Sequence, residues 1–160
     1  MKDYEIHQID IKGAYLNGIL TSNEVIYMKQ PPGYLVGSPG QVCRLRKTLY
    51  GLKLSGWRWY QQLVEIMVEK LGFLRCDVDQ AVFFRQQEKA IIVVLVHVDD
   101  CTIVAMSQLL INNFKITIKK HVEITDLGEI HWILGIEVRH VRENCQIFLS
   151  QCSYIESTLR

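Results

Sequence analysis

The sequence lacks the features that mark membrane-spanning, secreted and zinc-binding proteins. No run of apolar residues approaches the roughly 20 residues that a transmembrane helix needs. The segment Met1–Glu5 carries charges where a secretion signal would have its apolar core, so we expect no such signal. The five cysteines form no Cys-x-x-Cys pair and are odd in number. We therefore expect reduced thiols in an intracellular protein, with neither a zinc site nor a disulfide framework.

Acidic residues are absent between Glu24 and Glu65, although the net charge of the whole chain is only +1. The cations of this stretch are Lys29, Arg44, Arg46, Lys47, Lys53 and Arg58. Its interleaved aromatic residues are Tyr27, Tyr34, Tyr50, Trp57, Trp59 and Tyr60. Cations for phosphates and rings for bases are typical of a nucleic-acid groove. A solvated basic face over a partly buried aromatic cluster is the alternative, and both interpretations stay open at this point.

The hydrophobic patterns predict one α+β domain, with helices packed on one face of an antiparallel sheet. Strands are predicted over 4–11, 24–28, 81–86, 90–98, 101–105, 122–125, 130–141 and 146–149. The stretch 30–40 holds all three prolines and predicts a loop. An apolar stripe predicts a helix that ends near Gly72; its members are Trp57, Tyr60, Val64, Met67 and Leu71. A further helix is predicted over 107–121.

Three aspartates stand where predicted strands end. Asp10 ends the first strand, and Asp99 with Asp100 separates two β runs, which predicts a hairpin with both acids at its tip. If the strands are neighbours, the carboxylates meet at one edge. Charges about 4 Å apart repel by about 4 kcal/mol at an effective dielectric constant near 20, so such a cluster favours a bound cation. Oxygen ligands favour Mg²⁺ or Mn²⁺. We expect Asp99 to be the direct ligand, because neighbouring strand residues face opposite sides.

Seven motifs carry a resemblance to a known family. The three main motifs are "QIDIKGAYLNG" at 8–18, "VCRLRKTLYGLK" at 42–53 and "HVDD" at 97–100. The supporting motifs are "YMKQPPGY" at 27–34, "LGF" at 71–73, "DLGEIHWILGIEV" at 126–138 and "LSQCSYI" at 149–155. Together, in this order, they resemble the reverse transcriptase of copia-type LTR retrotransposons. The resemblance covers essentially the whole chain.

The resemblance implies a fold, an activity and partners. The fold would be a partial reverse transcriptase domain over residues 1–160, a palm-like antiparallel sheet with the fingers and thumb largely missing. The activity would be RNA-directed DNA polymerisation with two Mg²⁺ (or Mn²⁺) ions. The partners would be an RNA or DNA template with its primer, deoxynucleoside triphosphates, and the integrase and RNase H of the parent polyprotein. No binding to a membrane would be expected. The location would be intracellular, in cytoplasmic virus-like particles and the nucleus.

The resemblance also implies residue roles. The catalytic residues would be Asp10, Asp99 and Asp100, and the metal ligands Asp10, the Ile11 carbonyl and Asp99. The nucleotide site would include Tyr15, Tyr50 and Gly51. The nucleic-acid contacts would be Arg44, Arg46, Lys47, Lys53 and Arg58. The ring of Tyr15 would clash with a 2′-hydroxyl and so select deoxynucleotides; the alternative for Tyr15 is a core tyrosine.

Two alternatives to an active polymerase stay open. One is an inactive truncated relic of such an enzyme, which binds nucleic acid weakly at most. Two departures from the family pattern favour it: Leu54 stands where Gln is common, and Trp57 stands where Arg is typical. Both changes remove polar groups that would bind a template. The other alternative is a different two-metal palm enzyme such as a nucleotide cyclase, which the segment "LYGLK" disfavours.

Overall fold

The computed structural model describes residues 3–38 and 40–159 of the chain. The strands are β1 (Glu5–Ile11), β2 (Tyr27–Lys29), β3 (Val42–Arg44), β4 (Leu74–Arg75), β5 (Val82–Gln87), β6 (Ala90–His97), β7 (Asp100–Ala105), β8 (Ile124–Glu129), β9 (Trp132–Ile133), β10 (Ile136–Val141) and β11 (Gln146–Ser150). The helices are α1 (Ala14–Asn17), α2 (Ser55–Val64), α3 (Gln108–Ile118) and α4 (Cys152–Thr158). The predicted α+β class is confirmed.

The chain divides into two compact units. The first comprises Met1–Lys12 with Met67–Arg160, and the second is Gly13–Ile66. The prediction of one domain over residues 1–160 stays a prediction. The predicted loop at 30–40 contains no helix or strand among its described residues, and its Pro39 lies outside them. None of the described helices is long and apolar enough to cross a membrane.

A six-stranded antiparallel sheet forms the centre of the first unit. Its strand order is β4-β5-β6-β7-β1-β8, so β7 and β1 lie side by side in its interior. The side chains of Ile9 and Ile103 on one face are fully buried. Helix α3 contacts β1 and β7 and buries Phe114, whose ring meets the edge of Phe73 at 5.5 Å between centroids. Burial of these apolar side chains on one face leaves the other face of β1 and β7 for polar groups.

The rest of the first unit is a smaller three-stranded sheet and a short helix. The sheet has the order β11-β10-β9, and both of its strand pairs are antiparallel. A 3₁₀ turn at Arg142–Asn144 joins β10 to β11. The strand predicted over 130–141 is therefore interrupted, because Leu134 and Gly135 adopt positive φ angles of 49° and 79° between β9 and β10.

The second unit contains the pair β2–β3 and the helices α1 and α2, which contact each other. The predicted stripe on α2 is partly wrong: Trp57 is 59% exposed, whereas Trp59 is 2% exposed. The helix continues as a π-helical segment, Glu65–Lys70, and Gly72 follows at φ 68°. A left-handed residue of this kind commonly ends a helix, so the predicted stop at Gly72 is where the helix ends.

Candidate functional site

The structure brings the three predicted aspartates together where β1 ends and β7 begins, at one end of the strands of the large sheet. Asp10, Asp99 and Asp100 are called the acidic edge below. Asp10 on β1 lies directly opposite Asp100 on β7, and directly opposed residues of antiparallel strands point to the same face. The backbone N–H of Ile11 donates to the carbonyl oxygen of Asp99 at 2.8 Å, which joins the end of β1 to the hairpin turn. Asp10 therefore lies beside the hairpin, as the sequence hypothesis requires.

The hairpin turn is displaced by one residue from its predicted position. His97 pairs with Asp100, so the two turn residues are Val98 and Asp99, and Asp100 is the first residue of β7. Val98 adopts φ 60°, a conformation that β-branched residues rarely occupy. The turn gives the two acids different environments, because Asp99 lies at the tip and Asp100 within the ladder.

Negative charge accumulates where the three aspartates meet. Burial raises the pKa of the Asp10 carboxyl above its usual range, and the charges of Asp99 and Asp100 raise it further. Lys12 opposes this rise, but its ammonium forms an ion pair with Glu123 at 2.5 Å. Within residues 3–38 and 40–159, no cation forms an ion pair with any of the three aspartates.

The donor set of the acidic edge fits a hard divalent cation in type. Carboxylate and backbone carbonyl oxygens are the ligands that Mg²⁺ and Mn²⁺ prefer. In the described part of the chain, however, no group of three or more His, Cys, Asp or Glu side chains is arranged to hold a metal ion. The predicted ligands Asp10, Ile11 and Asp99 are therefore neighbours at one edge and do not form a finished coordination shell.

One residue that the sequence hypothesis missed contacts this edge. The side-chain amide of Gln8 donates to Oδ1 of Asp100 at 2.5 Å. Gln8 precedes Asp10 by two residues and therefore shares its face of β1. Gln8 is also the first residue of the motif at 8–18, but the sequence hypothesis gave it no role. A groove of about 170 Å³ runs along the same face and is lined by Leu95, His97, Asp100, Thr102, Ile133 and Leu134, among others.

The predicted nucleotide residues lie together in the second unit. The rings of Tyr15 and Tyr50 meet edge to face, with 5.2 Å between their centroids. The Thr48 hydroxyl donates to the carbonyl oxygen of Tyr15. Gly51 follows Tyr50 at φ 88°, a conformation that favours glycine. Tyr50 is 58% exposed, so its ring offers an accessible aromatic surface.

The predicted nucleic-acid contacts fall into two groups. Arg44, Arg46, Lys47 and Lys53 are exposed. Arg44 and Arg46 line a cavity of about 500 Å³. Arg58 differs, because its guanidinium donates to Oε1 of Glu24 from Nε at 2.9 Å and from Nη2 at 2.6 Å. That hydrogen bond holds the pKa of Glu24 below its usual range. The role of Arg58 in binding nucleic acid stays a prediction, and its charge is already paired.

A buried polar cluster lies on the helix side of the large sheet, opposite the acidic edge. Lys115 of α3 is 5% exposed, and its ammonium lies 3.0 Å from Nδ1 of His7 on β1 and also donates to Asp126 on β8. Burial alone would raise the pKa of Asp126, but the hydrogen bonds from Lys115 and from the backbone N–H of Gly128 hold it below its usual value. The cluster therefore ties α3 to two neighbouring strands.

This cluster predicts that the chain loses stability on mild acidification. Burial lowers the pKa of His7 below 6.5, and the Lys115 charge lowers it further. The unfolded chain therefore takes up a proton that the folded chain resists, and stability falls as the pH drops below 6.5 towards the folded pKa. Weaker opposing contributions come from Gln108, Asp126 and Glu129.

Denaturant midpoints measured above and below pH 6.5 test this prediction. His7→Gln keeps an acceptor for Lys115 but does not titrate, so its midpoint is expected to change less across this range than that of the native chain. His121→Gln, at an exposed position, is the control and is expected to behave like the native chain. An equal acid sensitivity in His7→Gln would contradict the assignment.

Comparison with known proteins gives the family. The profile of the family described as reverse transcriptase (RNA-dependent DNA polymerase) matches residues 1–160. The chain is 36% identical to the Retrovirus-related Pol polyprotein from transposon RE1 of Arabidopsis thaliana, over 96% of this chain and 10% of that protein. It is 38% identical to the Pol polyprotein from transposon TNT 1-94 of Nicotiana tabacum, over 98% of this chain and 12% of that protein.

A shorter relative is the putative transposon Ty5-1 protein of Saccharomyces cerevisiae, which is 32% identical over 92% of this chain and 47% of that protein. No solved structure matches the chain. The chain thus spans 10% and 12% of the two Pol polyproteins named above. The resemblance that the motifs indicated is confirmed, and the chain belongs to the reverse transcriptase (RNA-dependent DNA polymerase) family.

Proposed function

We propose that this chain supplies the palm of an RNA-directed DNA polymerase that adds deoxynucleotides to a primer 3′-hydroxyl. The observation that carries the proposal is the placement of Asp10 opposite Asp100 and beside Asp99, with no described cation paired to any of them. The partners are an RNA or DNA template with its primer, deoxynucleoside triphosphates, and the integrase and RNase H of a Pol polyprotein. The intracellular location stays a prediction.

The acidic edge would hold the divalent ions through Asp10, the Ile11 carbonyl and Asp99. When bound, two such ions lower the pKa of an attacking hydroxyl and stabilise the departing pyrophosphate. The protein supplies the oxygen ligands and fixes where they stand. The hydrogen bond from the Ile11 N–H to the Asp99 carbonyl keeps the hairpin turn against the end of β1. Asp100 adds negative charge, and its carboxylate accepts a hydrogen bond from the side-chain amide of Gln8.

The second unit would supply nucleotide and template contacts. Tyr15 and Tyr50 would form an aromatic surface for the incoming nucleotide, with Gly51 beside it, and Tyr15 would exclude a 2′-hydroxyl. Arg44, Arg46, Lys47 and Lys53 are exposed and would contact phosphates. Arg58 would support this surface through its ion pair with Glu24. These roles follow from the family motifs and from the exposure of the side chains.

Primer extension tests the proposed function. The purified 160-residue chain would be given an RNA template, a labelled DNA primer, deoxynucleotides and either Mg²⁺ or Mn²⁺. We expect metal-dependent extension that Asp99→Asn abolishes, because the amide removes a charged oxygen ligand. Asp77→Asn, at an exposed position that is not among the predicted site residues, is the matched control and is expected to extend normally.

Two outcomes would count against this function. Extension that survives Asp99→Asn would show that the acidic edge is not the catalytic centre. A native chain that binds primer–template but never extends it, even at high concentrations, would favour the inactive relic. In that case the salt dependence of binding would identify the exposed cations as its source.

A further inference from the structure

The side chain of Gln8 contacts the acidic edge directly. Its Nε2 donates to Oδ1 of Asp100 at 2.5 Å, and Gln8 is only 8% exposed. A carboxylate accepts hydrogen bonds and cannot donate them, so the NH₂ end of the amide must face Asp100. A hydrogen bond between a neutral donor and a charged acceptor is among the stronger kinds in proteins. Gln8 opens the motif at 8–18, but it does not belong to the predicted catalytic, metal-binding or nucleotide-binding residues.

The sheet holds Gln8 in place from both sides. On β7 it lies opposite Thr102, which is 7% exposed, and on β8 it lies opposite Gly128. Gly128 lies next to a register shift between Gln8 and Ile9 and, as a glycine, presents no side chain to Gln8. The buried amide is directed diagonally along β7 towards Asp100.

We propose that Gln8 is a positioning residue for the metal-binding edge. By engaging Oδ1 of Asp100, it fixes that carboxylate opposite Asp10, which is one of the proposed metal ligands. Groups that orient a metal site from outside the coordination shell commonly change metal affinity or activity 10- to 100-fold when they are replaced. The inference rests on the proposed function, because it concerns the same cation.

The test compares two glutamine replacements on the same sheet. Gln8→Met removes the donor and keeps a side chain of similar length. Gln86→Met is the matched control, because Gln86 lies exposed on β5 and donates only to the Glu88 carbonyl at 3.2 Å. Calorimetric titration with Mn²⁺ gives the Kd of each full-length chain, and thermal unfolding in chelator gives the stability without metal.

We expect Gln8→Met to raise the Kd for Mn²⁺ about 10- to 100-fold, while Gln86→Met leaves it unchanged. A structural role alone would lower the melting temperature in chelator and leave the Kd as it was, and that result would overturn the proposal. If the native chain binds no Mn²⁺, the proposed metal site fails and this inference fails with it. If the native chain binds Mn²⁺ and Gln8→Met binds it equally well, this inference alone fails.

A second measurement does not depend on metal or on the folding of Gln8→Met. The ¹H–¹⁵N signals of the Gln8 side-chain amide report its hydrogen bond directly. Removing the acceptor by Asp100→Ala is expected to move this pair of signals and to leave the Gln86 pair in place. Signals of Gln8 that stay unchanged would show that no such bond exists, and the proposal would be overturned.

Discussion

Replacing Asp10 with asparagine is expected to weaken Mn²⁺ binding at least about 100-fold and to stabilise the metal-free chain. The loss of affinity is expected because Asp10 is a direct ligand in the proposed site, and even groups outside a coordination shell change affinity by up to about 100-fold. The gain in stability is expected because burial and the charges of Asp99 and Asp100 raise the pKa of Asp10. The ionised Asp10 carboxylate is therefore less stable in the folded chain than in the unfolded chain, and the neutral amide avoids this cost.

Calorimetry and chemical denaturation of the same variant separate the two effects. Asp77→Asn is again the control, because it makes the same chemical change at an exposed position, and it is expected to alter neither quantity appreciably. A variant that loses Mn²⁺ binding and also loses stability without metal would contradict the account, since Asp10 would then be a structural group. A variant that binds Mn²⁺ like the native chain would remove Asp10 from the site.

Two glycine-to-alanine replacements in the second unit are expected to change stability in opposite directions. At Gly18, an added Cβ would lie 2.5 Å from the Thr48 hydroxyl oxygen and 3.0 Å from the backbone nitrogen of Trp59. Both neighbours are buried, so we expect Gly18→Ala to cost about 1–3 kcal/mol through overpacking. At Gly56, within α2, the nearest atom is Cε1 of Tyr15 at 3.8 Å, which is an ordinary contact.

Gly56→Ala is therefore expected to stabilise the chain by up to about 0.5 kcal/mol, because alanine is the better helix former but Gly56 lies in the first turn of α2. The free energy of unfolding of both variants, taken from denaturant curves, checks the pair. A neutral Gly18→Ala would show that α1, Thr48 and α2 are not as closely packed as described. A destabilising Gly56→Ala would show that residue 56 does not lie inside a helix.

The proximity of Asp10 to the hairpin could be predicted from the sequence, but the details of the arrangement could not. Apolar runs on both sides of Asp99 and Asp100 predict a hairpin. The turn of a hairpin lies at the end of its two strands, so the acids are expected there. The turn lies one residue earlier than predicted because Val98 accepts a positive φ that sequence rules assign to Gly, Asn or Asp. The contact from Gln8 depends on the register between β1 and β7, which a pattern within one strand does not contain.

Helix α2 shows a second limit of the sequence patterns. Residues at intervals of three and four occur in two overlapping sets, one beginning at Trp57 and the other at Trp59. In α2 the structure buries Trp59 and Leu63 and leaves Trp57 exposed, whereas further along it buries Ile66 together with the predicted Met67 and Leu71. Spacing alone could not choose between them, since the choice depends on the surface against which the helix packs. The π-helical segment that follows has no signature in the apolar pattern.

Composition grouped Arg58 with the other cations, whereas the structure separates it from them. Its partner, Glu24, is 34 residues away in the sequence. A pairing at that distance depends on the fold of the second unit and is invisible to a count of charges. Strands β3 and β4, with three and two residues, were missed for a simpler reason: such short segments contain less than two periods of alternation.

Anomalous diffraction from crystals soaked in Mn²⁺ is the most direct test of the central claim, that Asp10 at the end of β1 and Asp99 in the hairpin turn bind divalent cations together. The account predicts an anomalous peak coordinated by the carboxylates of Asp10 and Asp99 and by the Ile11 carbonyl, and no such peak in Asp10→Asn crystals. A Mn²⁺ peak bound elsewhere, with this edge left empty in the native chain, would contradict it.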